Sequence, residues 1–127
     1  MRLLAKPIKM PLTIYQGATF ERQWRWLYKP SAGADPMPVV LTGCTARGQV
    51  RETYESSSVL VDFVATDGSL VLDTAQSTIS LFLSPTKTAV LKPSVKPYRW
   101  DLEIYWPDGN VTRLFEGEVT ISQEVTR

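Results

Sequence analysis

The chain predicts an all-β fold, an antiparallel sandwich of about seven or eight strands carrying one short helix at residues 84–91. Three observations carry the expectation. Apolar and polar residues alternate with period two through most of the chain. Turn residues recur at intervals of roughly 8 to 15 residues. One stretch alone, Ser84 to Leu91, opens with a capping serine followed by proline at the first helical position.

Residues 1–11 come first and differ from the rest. Pro7 and Pro11 remove backbone donors, and no alternation is visible, so this stretch is expected to be an extended arm ahead of one domain spanning 12–127. Its side chains, Arg2, Leu3, Leu4, Lys6, Ile8, Lys9 and Met10, are candidate partner-binding residues. A purely disordered tail carries fewer apolar groups, and an antiparallel sandwich leaves sheet edges on which a neighbour's arm can pair. Terminal disorder is the alternative. On the docking reading, removing residues 1–10 leaves the fold intact.

From Ala18 the alternation is regular. Ala18, Phe20, Trp24, Trp26 and Tyr28 are expected to face inward with Arg22 as the polar intruder, and Gly17 marks a bend or bulge between two short strands. Pro30 to Pro38, with three prolines and Gly33, reads as a flexible loop. Val39–Leu41 begins a short element. Cys44, Ala46, Gly48 and Val50 then face inward along the next strand. After a polar connection, Val59, Val61, Phe63 and Ala65 make another, closed by Thr66-Asp67-Gly68. Residues 69–72 and 78–83 form a further antiparallel pair.

The final hairpin is the most specific local signal. Tyr98, Trp100, Leu102, Ile104 and Trp106 alternate with Arg99, Asp101, Glu103 and Tyr105 before Pro107-Asp108-Gly109-Asn110. A two-residue Asp108-Gly109 turn places Trp106 opposite Val111, Ile104 opposite Arg113, Leu102 opposite Phe115, Trp100 opposite Gly117 and Tyr98 opposite Val119, all on one face.

Composition excludes several function classes. The 127 residues include no histidine, which removes the usual general base near neutral pH and the commonest zinc ligand. Fourteen basic against thirteen acidic residues, with no basic block, argue against nucleic acid as a partner. No stretch approaches the roughly 20 apolar residues of a membrane-spanning helix, so no membrane partner is expected, and the N-terminal residues do not read as an export signal. Cys44 stands alone, so no intrachain disulfide forms.

Asp101 and Glu116 would lie opposite one another on the outer face of the hairpin, where two carboxylates could act on a sugar, but exposed opposed acids are ordinarily solvated or bridged by a neighbouring arginine. Asp62, Asp67 and Asp73 lack the spacing of a calcium loop and read as turn residues. No phosphate-cradling glycine string occurs. The tryptophans alternate with charged neighbours and are expected in the core, not on a stacking platform. Tyr15, Tyr54 and Tyr105 fall outside that inward set and are candidate surface contacts. The expectation is therefore no enzyme, no metal and no cofactor.

The strings Leu12-Thr13-Ile14-Tyr15-Gln16-Gly17-Ala18-Thr19-Phe20, Leu41-Thr42-Gly43-Cys44-Thr45-Ala46-Arg47, Tyr98-Arg99-Trp100-Asp101-Leu102-Glu103 and Gly117 to Arg127 together resemble a family of small structural proteins of tailed-bacteriophage and prophage virions. The resemblance runs from Leu12 to Arg127. It implies an immunoglobulin-like β-sandwich located in the virion and assembled in the host bacterial cytoplasm. It implies an adaptor of the tail, baseplate or fibre-attachment region that binds other virion proteins and symmetry-related copies of itself. Capsid decoration on the head exterior is the alternative setting. A carbohydrate-binding module gripping a host-surface glycan is the alternative function, and it requires aromatic rings exposed in one patch.

Overall fold

The alternation of Tyr98 to Tyr105 becomes the strand around which the larger sheet is built. In a computed structural model that describes residues 6–126, the elements run in the order β1 (Ile8–Lys9), β2 (Leu12–Tyr15), β3 (Phe20–Arg25), β4 (Leu27–Tyr28), β5 (Met37–Pro38), β6 (Thr45–Arg51) and β7 (Val59–Phe63). A 3-10 turn (Ala65–Asp67), β8 (Leu70–Asp73), β9 (Thr78–Leu83), α1 (Pro85–Ala89), β10 (Tyr98–Tyr105) and β11 (Val111–Ser122) follow. Eight of these strands have four residues or more, and β1, β4 and β5 are two-residue pieces.

Two sheets form the sandwich. The larger has the order β1-β11-β10-β6-β7, with β2 also on β11, and the smaller has the order β3-β9-β8. Every pairing is antiparallel except those of β1 and β2, which run parallel to β11. Counting β3 as the second strand of the domain, the smaller sheet joins B, E and D while the larger joins G, F, C and C′, which is the arrangement of an immunoglobulin-like sandwich. At the start of β10 the Tyr98 hydroxyl donates to the Lys92 carbonyl at 2.5 Å, the tyrosine corner of that fold. Between β9 and β10, the Ser84 side chain accepts from the Lys87 N–H and caps α1, which is shorter than the expected 84–91 by its two ends.

The core lies between the sheets. Antibody domains place a disulfide cysteine two residues after the corner tyrosine; here that position is Trp100, and aromatic packing crosses the gap instead. Trp24 of the smaller sheet lies 4.6 Å from Phe115 and 6.3 Å from Trp100, centroid to centroid, and Phe63 bridges Trp100 to Phe20. Cys44 is buried and unpaired with any other cysteine.

Four expectations are revised. The hairpin loop is three residues, not two: the Gly109 N–H donates to the Trp106 carbonyl, and Trp106 N–H to that of Asn110, because Pro107 suits the second position of a turn that must begin at Trp106. Gly109 takes the left-handed φ of 89° that closes it. Pairing near the turn therefore shifts by one, with Tyr105 opposite Val111, Ile104 opposite Thr112 and Glu103 opposite Arg113. A bulge at Leu102/Glu103 then restores the expected Leu102–Phe115, Trp100–Gly117 and Tyr98–Val119 pairs. The inserted residue is Leu114, which adds a side chain to the core beside Phe115.

Second, the stretch read as a separate arm belongs to the sheet over Ile8–Met10. Ile8 and Lys9 pair with Phe115 and Glu116, the Met10 N–H donates to the Glu116 carbonyl at 2.8 Å, and the Met10 carbonyl accepts from Trp100 Nε1 at 2.7 Å. Arg2, Leu3 and Leu4 lie outside the described residues. Third, the 30–38 loop ends in structure, since Met37–Pro38 pairs with Leu27–Tyr28. Fourth, Trp24, Trp26 and Tyr28 face inward as expected but are only half-buried against the core. Arg22, on the same side, places its guanidinium 5.1 Å from the Trp24 ring centroid, so the polar intruder packs through a cation–π contact.

Candidate functional site

The alternation that sends Trp100, Leu102 and Ile104 inward sends their neighbours to the outer face of the larger sheet, and cross-strand register sorts these into three rows. The middle row crosses five strands as Asp62, Gln49, Asp101, Glu116 and Lys9. On one side of it lie Arg47, Glu103 and Arg113, and on the other Arg51, Arg99 and Glu118. An acidic line thus runs between two rows rich in arginine.

The bulge in the hairpin completes this pattern. By turning Arg113 outward, it lets that guanidinium reach Asp101 at 3.5 Å and Glu116 at 3.3 Å. Arg47 takes Asp62 through two bonds of 3.0 and 3.2 Å, Arg99 lies 3.6 Å from Glu118, and Lys9 pairs with Glu116. Arg51 instead bonds neutral oxygens, the Ser56 carbonyl at 2.5 Å and Gln49 Oε1 at 2.9 Å, which ties the 52–58 connection down beside the face. Exposed pairs of this kind contribute little stability, about 0 to 1 kcal/mol each, but they fix side chains in place.

Between the rows lies a groove of about 670 Å³, bordered by Lys9, Arg51, Tyr54, Arg99, Asp101 and Glu116 among others. Tyr54 stands at its rim, its ring centroid 5.6 Å from the Arg99 guanidinium carbon. Burial pushes the Asp101 carboxyl up, with Glu103 adding to it against the pull of Arg113. The Lys9 hydrogen bond, helped by Arg113, holds Glu116 below the usual range. Burial and Glu103 push the Tyr105 phenol up. The expected facing of Asp101 and Glu116 is observed, with Arg113 as the arginine that bridges both and Lys9 as a second cation on Glu116.

Of the candidate surface tyrosines, Tyr54 and Tyr105 belong to this face and Tyr15 does not share the groove. Tyr15 is exposed at the end of β2, beside Ser122, and the Tyr105 hydroxyl donates to Glu103 Oε1 at 3.2 Å. Of the candidate arm residues, Lys9 borders the groove, Ile8 and Met10 lie on β11, and Lys6 is exposed ahead of β1. The arginines of the two flanking rows were not singled out by sequence. Their signal was present as the outward half of each alternation, but it required knowing that β6 lies beside β10.

Other candidate chemistry falls apart spatially. Asp67 caps the Ser69 N–H at 2.8 Å, Asp73 caps the N–H groups of Ala75 and Gln76, and Asp62 belongs to Arg47. Among the described residues no group of three or more acidic or cysteine side chains is placed to hold a metal ion. Burial pushes the Cys44 thiol up, away from the reactive thiolate. No described helix is long and apolar enough to cross a membrane.

No protein-family model matches the chain, and no curated protein matches it in sequence. Among solved structures, the chain is similar to the first immunoglobulin-like domain of the human CD48 antigen, with a TM-score of 0.42 and 9% identity over 99% of this chain and 92% of that one.

Proposed function

We propose that this chain is a non-enzymatic structural component of a tailed-bacteriophage particle, an adaptor in the tail, baseplate or fibre-attachment region that binds neighbouring virion proteins through the outer face of its larger sheet. The observation carrying the binding role is the groove of about 670 Å³, whose walls offer both signs of charge and the rim tyrosine, on a face where the side chains of Lys9, Arg47 and Glu118 are open to solvent. The setting rests on the resemblance of residues 12–127 to phage virion proteins. The acidic centre flanked by arginines favours a protein partner with charges of both signs, because such a surface gives register and rejects wrong partners.

The same geometry weighs against glycan binding. Trp100 and Trp106 are buried, Trp24 and Trp26 pack on the core, and the Tyr54 ring is engaged by Arg99, which leaves no row of open rings. The test replaces the rim pair. In the particle that encodes this chain, Tyr54→Ala/Arg99→Ala is expected to fold as the parent does by circular dichroism and to be incorporated about tenfold less or worse. Incorporation at the parental level rejects the face as the binding surface, and absence of the parent chain from purified particles rejects the virion role.

A further inference from the structure

Residues Ile8–Met10 occupy a site on β11 that demands an occupant without requiring that it come from the same molecule. Both residues of β1 are exposed at the sheet edge, and the segment is held by the ladder to Phe115–Glu116, the Lys9–Glu116 ion pair and the two hydrogen bonds of the Met10 backbone. None of these contacts depends on the covalent connection. The receiving surface is built for a passing main chain: a Cβ on Gly117 would stand 2.7 Å from the Met10 carbonyl oxygen and 2.9 Å from its carbon, so only glycine leaves the space. Trp100 Nε1, deep in the core, has the Met10 carbonyl as its acceptor, and withdrawal of the segment leaves a buried donor unmet. Bare release is therefore disfavoured, while replacement by an identical segment restores every bond.

The hinge is also present. β1 and β2 keep one register along β11, but the ladder breaks at Pro11, which has no N–H to donate and separates the two pieces. β2, with Leu12 and Ile14 buried, anchors the chain behind the break. We propose that the strip beside Phe115–Gly117 is a strand-exchange site whose trans occupant is the Ile8–Met10 segment of a second copy of this chain, so that at high local concentration neighbouring copies trade first strands through the Pro11 hinge. The proposal rests on the arm's contacts and stands or falls independently of the virion role and of the charged face.

Paired residues Lys9 and Glu116 allow a direct test, because Cys44 is buried and adjacent strands bring their backbones within disulfide range. Lys9→Cys and Glu116→Cys chains, co-refolded at millimolar concentration and oxidised, are expected to give a covalent dimer joined through the two introduced thiols, identified by the linked peptide's mass and at least tenfold scarcer at micromolar concentration. The Lys9→Cys/Glu116→Cys double variant at micromolar concentration is expected to close within one chain. Closure of the double variant without the mixed dimer overturns exchange. Failure of the double variant to close overturns the docked arm itself.

Discussion

At Gly117 one methyl group decides whether the first strand keeps its place. Since the atoms a Cβ would meet belong to the Met10 backbone, Gly117→Ala must push that segment off and break its bond to Trp100. A loss of about 1 to 3 kcal/mol is expected, the cost of an orphaned buried donor, read as a lowered urea midpoint. Asp67 makes a separate, pH-dependent contribution. Bonds from Ser69 and then the Lys87 ammonium hold its carboxyl at about 2, against an ordinary 3.8. A depressed folded-state value means the carboxylate favours the fold above the unfolded value, and the benefit disappears as pH falls from near 4 toward 2. Asp67→Asn is expected to lower the melting temperature slightly at pH 6 and to lose less than the parent between pH 5 and pH 2. The effect is small because the side chain is well exposed to solvent. Equal acid slopes for the two proteins contradict this assignment.

At the scale of elements, the first strand behaves differently from what its composition suggests. Two prolines and the absence of alternation hide a strand of only two residues, because period-two patterning needs several residues to show and a piece exposed on both sides has no inward half. Deleting residues 1–10 is accordingly expected to cost about 2 kcal/mol through the loss of the Trp100 acceptor while β2 keeps the sheet assembled. Chemical denaturation should give an earlier midpoint with an unchanged far-ultraviolet β spectrum, and an unshifted midpoint contradicts the docked arm. The hairpin was legible where side chains decide: three of its five expected pairs stand, as do the β8–β9 pair and the capped helix. It was illegible near the turn, where Asp-Gly chemistry competes with a proline one residue earlier and proline fixes the backbone first. A bulge then absorbs the extra residue, and a period-two reading cannot count it.

For the whole molecule, alternation says which side of each strand faces out but not which strands are neighbours. Arg47 and Arg51 became part of one site with Asp101 and Glu116 only because β6 lies against β10, a pairing between segments far apart in the chain. The same tertiary step joins the two sheets, where aromatic contacts stand in for a covalent bridge. Trp24 and Phe20 are the smaller sheet's contributions, and Trp24 is in ring contact with both Trp100 and Phe115 across the gap. Its removal should weaken the sandwich as a unit. Trp24→Ala is expected to destabilise by about 3 kcal/mol, the low end for a large aromatic because the ring is only half-buried. Val95→Ala, at a side chain open to solvent, should stay within about 0.5 kcal/mol of the parent. Guanidinium unfolding followed by circular dichroism and by tryptophan emission checks both, and the two probes should give one midpoint for each variant if the sheets part together. Separate midpoints in Trp24→Ala alone would mean that the ring couples two sheets otherwise able to unfold apart, and a loss below 1 kcal/mol would mean that it does not join them at all.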